Sequence, residues 1–202
     1  MLLEFLAAAV LIELTPGPNM AWLALLGASR GRTAALAAVA GVSLGLSIAG
    51  AAATFGVSAL IGTTPWLFQA LRWAGSLYLL YLAWDSWRDS TAPQEAQFDE
   101  PLRRYFGQAL LSNMLNPKAY LVFAAVLPQF VNPEQPLLTQ LITLSALYVG
   151  VATVIHAAIA LLAGSFNRFF ADRARARILG RISALLLTAV AVWFFFVTEM
   201  KS

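Results

Sequence analysis

The chain has no cysteine, which excludes disulfides, thiolate nucleophiles and cysteine-held metals. His156 is the single histidine, too few for a multi-histidine metal cluster, and neither a metal nor any other cofactor is expected. Charge is scarce too: 11% of residues are charged and 60% hydrophobic, where soluble domains carry about 25% charged residues. The sequence contains no G-x-x-x-x-G-K-[ST] phosphate loop and no H-E-x-x-H zinc helix, and nothing reads as a strand-to-helix nucleophile elbow. An enzyme is not indicated, and no engine for ATP is encoded. The opening Met1-Leu2-Leu3-Glu4 lacks Lys and Arg, so the first apolar segment is expected to stay and not to be cleaved as a signal peptide.

What the chain does have is apolar length. Uncharged runs extend from Thr33 to Leu71 and from Gln135 to Asn167, suited to bilayer spans of about 20 residues each. Six segments are expected, near residues 3–27, 34–61, 66–87, 106–130, 137–164 and 178–198. Loops one-two, three-four and five-six hold every arginine except Arg72, and the two opposite loops hold none. By the positive-inside rule the basic loops are cytoplasmic and both termini lie outside. This distribution also explains the pI of about 9.6 without a nucleic-acid partner, because the basic residues sit in loops and are not interleaved with aromatics.

Segment two carries Ala37, Gly41, Gly45, Ala49 and Ala53 at every fourth position. Such a row lets a second helix approach closely, within the chain or across a homodimer seam. Gly75 in segment three is a further packing position. Tyr78, Tyr81 and Asp85 share a face of that segment and read as an aromatic belt ending in an interfacial carboxylate.

Two apolar segments are interrupted. Thr15-Pro16-Gly17-Pro18-Asn19 falls inside segment one, and Ser112, Asn113, Asn116, Pro117 and Lys118 fall inside segment four. Each proline removes a backbone donor and clashes with the preceding turn, so carbonyls around Ile12 and Glu13 are expected to lack helical partners. In hydrocarbon that is tolerated only where protein, water or a ligand supplies the bond. Laying segment one over segment four brings Pro16 onto Pro117, Thr15 onto Asn116 and Phe5 onto Phe106. More faintly, Arg72-Trp73-Ala74-Gly75 echoes Arg177-Ile178-Leu179-Gly180. With an odd number of spans per half, the second half must be inserted upside down. The expected fold is an all-α integral membrane protein. Its single domain holds six transmembrane helices as two inverted three-helix repeats, residues 1–87 and 106–202, joined by a cytoplasmic linker at 88–105. Matched breaks at the heads of two repeats point to a transport site at the bilayer midplane.

Taken together, Thr15-Pro16-Gly17-Pro18-Asn19, Gly31-Arg32, Gly41, Gly75 with Tyr78-Leu79-Leu80-Tyr81-Leu82, Asn116-Pro117-Lys118-Ala119 and Leu127-Pro128-Gln129-Phe130 resemble the LysE/RhtB family of amino-acid exporters. The resemblance covers almost the whole chain. It implies efflux of amino acids or close derivatives across a bacterial inner membrane, coupled to an ion gradient, with protons the expected ion. Ala83 departs from the pattern, since similar sequences often place glycine after Y-L-x-Y-L.

An amino acid presents a carboxylate and an ammonium, and a midplane site must replace water for both. Free N–H groups at the broken helix ends, Lys118 and the Asn116 amide suit the carboxylate. The carbonyls before Pro16 and Pro117, Asn19 and an ionised Glu13 suit the ammonium. The expected substrate-binding set is therefore Glu13, Pro16, Gly17, Pro18, Asn19, Asn116, Pro117 and Lys118, with Glu13 and Lys118 neutralising one another. His156 is the first candidate for carrying a coupling proton, although a neutral buried histidine bonded to a carbonyl is the favoured reading, because no carboxylate lies nearby in sequence. Asp85, near the cytoplasmic boundary, is the second. Two other functions fit the same spans, a passive channel or pore and a non-transporting membrane anchor.

Overall fold

The computed structural model describes residues 2–15, 17–54, 56, 64–91, 100–167 and 173–197. Among them there are eight α-helices and no strand. In chain order these are α1 (Leu2–Leu14), α2 (Pro18–Arg30), α3 (Arg32–Thr54), α4 (Pro65–Thr91), α5 (Leu102–Met114), α6 (Pro117–Leu121), α7 (Leu137–Ser165) and α8 (Arg173–Val197). A π-helical turn, Val122–Val126, and a 3-10 turn, Leu127–Phe130, continue α6. The widening into a π turn has a local cause. Pro128 has no N–H to return to the preceding turn, and the N–H of Leu127 reaches back five residues to the Val122 carbonyl.

By length and apolarity, α3 and α7 each suffice to cross a bilayer, and two bent pairs also qualify. These are α1 with α2, bent by 62°, and α5 with the stretch from Pro117 to Phe130, bent by 53°. That makes two to four candidate spans among the described residues. The predicted third segment extends further than expected, to Thr91, and the second stops earlier as a helix, at Thr54. Residues 57–61 of that segment and most of the 88–105 linker fall outside the described residues.

Both breaks restart as helices on a proline. Pro18 opens α2 behind Gly17, which is in extended backbone with φ −143°, and Pro117 opens α6 behind Asn116. The first helical position needs no N–H partner and suits the fixed φ of proline. Pro18 and Pro117 therefore begin new helices. Pro16 lies outside the described residues.

The helices pack around α3 and α7. α3 lies against α5 and α7, α1 and α2 both lie against α7, and α4 runs along α8. The α4–α8 pair is antiparallel: Arg72 near the start of α4 donates to the Phe195 carbonyl at the end of α8 (2.7 Å), and Ser86 near the end of α4 donates to the Gly180 carbonyl near the start of α8 (3.3 Å). The small-residue row of α3 is consumed inside the chain. A Cβ on Gly41 would stand 2.2 Å from the Phe106 carbonyl oxygen, and one on Gly45 would stand 2.8 Å from Asn113 Nδ2. Gly41 and Gly45, with the buried Ala49, thus seat α5 and offer no seam to a second copy. Gly75 is also buried. A Cβ on Gly27 would stand 2.9 Å from the Ala160 carbonyl, so α2 and α7 also approach closely.

The basic connections gather at one end. Asn167 donates to the carbonyls of Ala28 and Ser29 at the end of α2 (3.1 and 3.0 Å), and Arg32 Nε donates to the Leu161 carbonyl (3.3 Å). Gly31, between α2 and α3, has φ 85°, a conformation that glycine adopts without strain. The Ser86–Gly180 contact brings the end of α4 and the start of α8 together.

Candidate functional site

At the end of α1 the chain runs out of helical donors. The Leu11 carbonyl accepts from both the N–H and the hydroxyl of Thr15 (3.1 and 2.9 Å). The Ile12 carbonyl accepts from Lys118 Nζ (2.9 Å), which also reaches the Thr15 carbonyl (3.3 Å). The expected unpaired carbonyl at Ile12 is therefore satisfied by a lysine from the other break. Lys118 stands among acceptors suited to an ammonium, not where a carboxylate would need a donor.

Glu13 is buried, 6% exposed, and has two partners on α7. Its Oε1 accepts from the Tyr148 hydroxyl, and its Oε2 lies 3.4 Å from His156 Nε2. Tyr148 and His156 are two turns apart on one face of α7, with Ala152 between them. His156 thus does have a carboxylate partner, one far away in sequence, and among the described residues its Nδ1 has no partner. Asp85 stands apart, at the basic end, where it accepts from Arg104 (2.5 Å), Gln108 (3.0 Å) and Arg88 (3.3 Å). There it ties α4 to α5.

The start of α2 meets the end of α5, beside the second break. Asn19 Nδ2 donates to Asn113 Oδ1 (2.8 Å), and Asn19 Oδ1 accepts from the Ser112 hydroxyl (3.1 Å). Among the described residues Asn113 Nδ2 is left buried without a partner, an arrangement that normally costs about 1–3 kcal/mol. Asn116 caps α6 by accepting the Lys118 N–H on Oδ1 (3.0 Å), whereas Gly17 gives α2 no side-chain cap. The start of α2 therefore has no side chain of its own to neutralise the positive end of its dipole.

These groups line one cavity of about 30 Å³, together with Met20, Leu46 and Ala119. That is room for about one water molecule, too little for an amino acid as the side chains stand. Of the predicted residues, Glu13, Gly17, Asn19, Asn116, Lys118 and His156 line it; Pro18 and Pro117 shape it by opening the helices. Three polar lining residues, Thr15, Asn113 and Tyr148, were not among those expected. Extending the row of Ala152, His156 and Ala160 one turn backward finds Tyr148. Asn113 is one turn before Asn116.

A bundle of apolar helices with two proline-started interruptions around a buried polar cavity is the arrangement expected of a membrane transporter. Residues 10–198 match the family described as LysE type translocator, and the chain belongs to that family. It is 30% identical over 161 residues to the homoserine/homoserine lactone efflux protein of Salmonella typhimurium, covering 79% of this chain and 78% of the relative. It is 31% identical over 182 residues to the leucine efflux protein of Klebsiella pneumoniae, covering 88% and 86%. An uncharacterized membrane protein of Pseudomonas aeruginosa is 35% identical over 138 residues, covering 64% and 63%. No solved structure matches.

Proposed function

We propose that the chain is a secondary transporter that exports amino acids with small or aliphatic uncharged side chains across the bacterial inner membrane, driven by the proton gradient. The observation that carries this reading is the meeting of the two helix breaks around one buried polar cavity. The carboxylate is received by the N–H groups that open α2 and by the unpartnered amide of Asn113. The ammonium is received by Glu13 and the carbonyls ending α1. Met20, Leu46 and Ala119 supply an apolar wall for the side chain, in keeping with the homoserine and leucine in the names of the two relatives.

The packing supports six spans in two inverted halves. A two-fold axis in the membrane plane would exchange α3 with α7 and α4 with α8, the two pairs that lie against each other, and would exchange the α3–α5 contact with the contact of α7 on α1 and α2. The basic end faces the cytoplasm and both termini face the periplasm. Closure of the cavity favours alternating access over an open pore. Coupling runs through the carboxylate that Tyr148 and His156 share: a proton on His156 pairs with Glu13, and its loss frees Glu13 for the ammonium.

The test is an export screen across amino acids in proteoliposomes under an imposed pH gradient. Saturable export of one or more neutral amino acids is expected, and replacing His156 with Gln should flatten its pH dependence. Non-saturable flux of all solutes would establish a pore; no flux at all would leave an anchor.

A further inference from the structure

Lys118 bridges the two breaks through its ammonium. Its Nζ donates to the Ile12 and Thr15 carbonyls at 2.9 and 3.3 Å, where the end of the α1 dipole concentrates negative charge. The same Nζ lies 3.8 Å from where a Cβ on Gly17 would stand, beside the uncapped start of α2. In an amino acid a single carbon separates carboxylate from ammonium. A carboxylate seated on the amides that open α2 therefore places its ammonium where Nζ now is. Asn113 Nδ2, buried and without a partner, supplies a second donor for that carboxylate. The cavity holds about one water molecule, so nothing larger enters while Lys118 keeps this position.

We propose that Lys118 is a tethered competitor for the substrate's ammonium, seated in the carbonyl cage at the end of α1 and evicted by the amino acid. This rests on the exporter reading and assigns the lysine a role opposite in sign to a carboxylate ligand. While seated, Lys118 ties α1 to the start of α6, one break to the other. The substrate's ammonium occupies the cage without that tether, so loading cuts the link between the halves and unloading restores it. Lys118 is thus a specificity-determining residue: it disfavours any ligand that cannot replace it with an ammonium of its own.

The experiment measures equilibrium binding to the purified full chain of the amino acid that the wild type exports best, beside its des-amino analogue, for wild type and Lys118→Gln. Removing an internal competitor raises the apparent affinity by the reciprocal of the fraction of time the site stood free, here expected to be about tenfold for the amino acid. Affinity for the analogue should rise as well, because it too can enter only when Lys118 has left, and net export should fall. Weaker binding of both ligands by Lys118→Gln would overturn the proposal, since that is the signature of a carboxylate ligand. A wild-type measurement guards against a variant that does not fold. The chain has only two lysines, Lys118 and Lys201, so acetylation of Lys118 can be read by mass spectrometry against Lys201. Saturating amino acid should speed acetylation of Lys118; protection would overturn the proposal. A wild type that exports no amino acid would defeat the exporter reading itself, a result distinct from either.

Discussion

Replacing Gly41 with Ala should damage this protein more than almost any other single methyl. The added Cβ would stand 2.2 Å from the Phe106 carbonyl oxygen and 3.0 Å from both Ala109 Cβ and Leu110 N. Most of what it meets is backbone, so no side chain can swing aside. An ordinary C···O contact is about 3.3 Å or more, and α3 and α5 must part by about 1 Å. Overpacking of this kind costs about 1–3 kcal/mol, and the immobility of the neighbours puts Gly41→Ala near the top, about 3 kcal/mol. For a chain of this size that is a fall of about 6–12 °C in the unfolding midpoint. Function should suffer further, because one turn along α3 the Gly45 position lies 2.8 Å from Asn113 Nδ2; parting the helices draws Asn113 away from Asn19. The assay is thermal unfolding followed by tryptophan fluorescence, with counterflow in proteoliposomes beside it. Gly107→Ala and Gly150→Ala are the controls, since a Cβ there meets nothing within 4 Å. Wild-type midpoint and counterflow in Gly41→Ala would refute the close approach of α3 and α5.

Tyr148→Phe removes one of the two partners of Glu13; a hydrogen bond to a charged group contributes about 1.5–3 kcal/mol, so export should fall about tenfold or more. Unaltered export by Tyr148→Phe would separate Tyr148 from the transport cycle. Glu13→Gln should abolish net export while the protein still folds, measured by efflux beside size-exclusion profiles, and efflux at the wild-type rate would contradict a role in holding the ammonium. Because the chain has no cysteine, the pair Asn19→Cys and Asn113→Cys can be oxidised without background. Their side chains now touch at 2.8 Å, so a cross-link should form readily and arrest transport; failure to cross-link would mean the breaks do not meet.

The two interruptions were legible because proline acts locally: it removes a donor and starts a helix whatever surrounds it. Pro18 and Pro117 do so here, although the expected orphan carbonyl at Ile12 is filled by Lys118. The small-residue row was legible as a packing face, but its partner was not, since the pattern at Gly41 and Gly45 is the same whether the neighbour is α5 or a second copy. Partners distant in sequence escaped altogether. Tyr148 and His156 meet a glutamate more than a hundred residues upstream, and no local pattern around His156 announces a carboxylate. The partners of Asp85 escaped for the same reason: Arg104 and Gln108 come to it from the next helix and tie it to the basic end, outside the residues that line the cavity. The π turn at Val122–Val126 gave no periodic signal, as one extra residue per turn leaves an apolar run looking unchanged.

Ala119 offers the most direct access to the central claim that the closed cavity between the breaks is the amino-acid site. It is 3% exposed and lines that cavity, and Ala119→Cys would carry the sole thiol of the chain. The measurement is the rate at which a small methanethiosulfonate reagent modifies this thiol in proteoliposomes, with and without a saturating concentration of the exported amino acid. Modification slowed about tenfold or more is the predicted result, as expected when ligand occupies the site most of the time. A rate unchanged by saturating amino acid would place the substrate elsewhere and contradict the account.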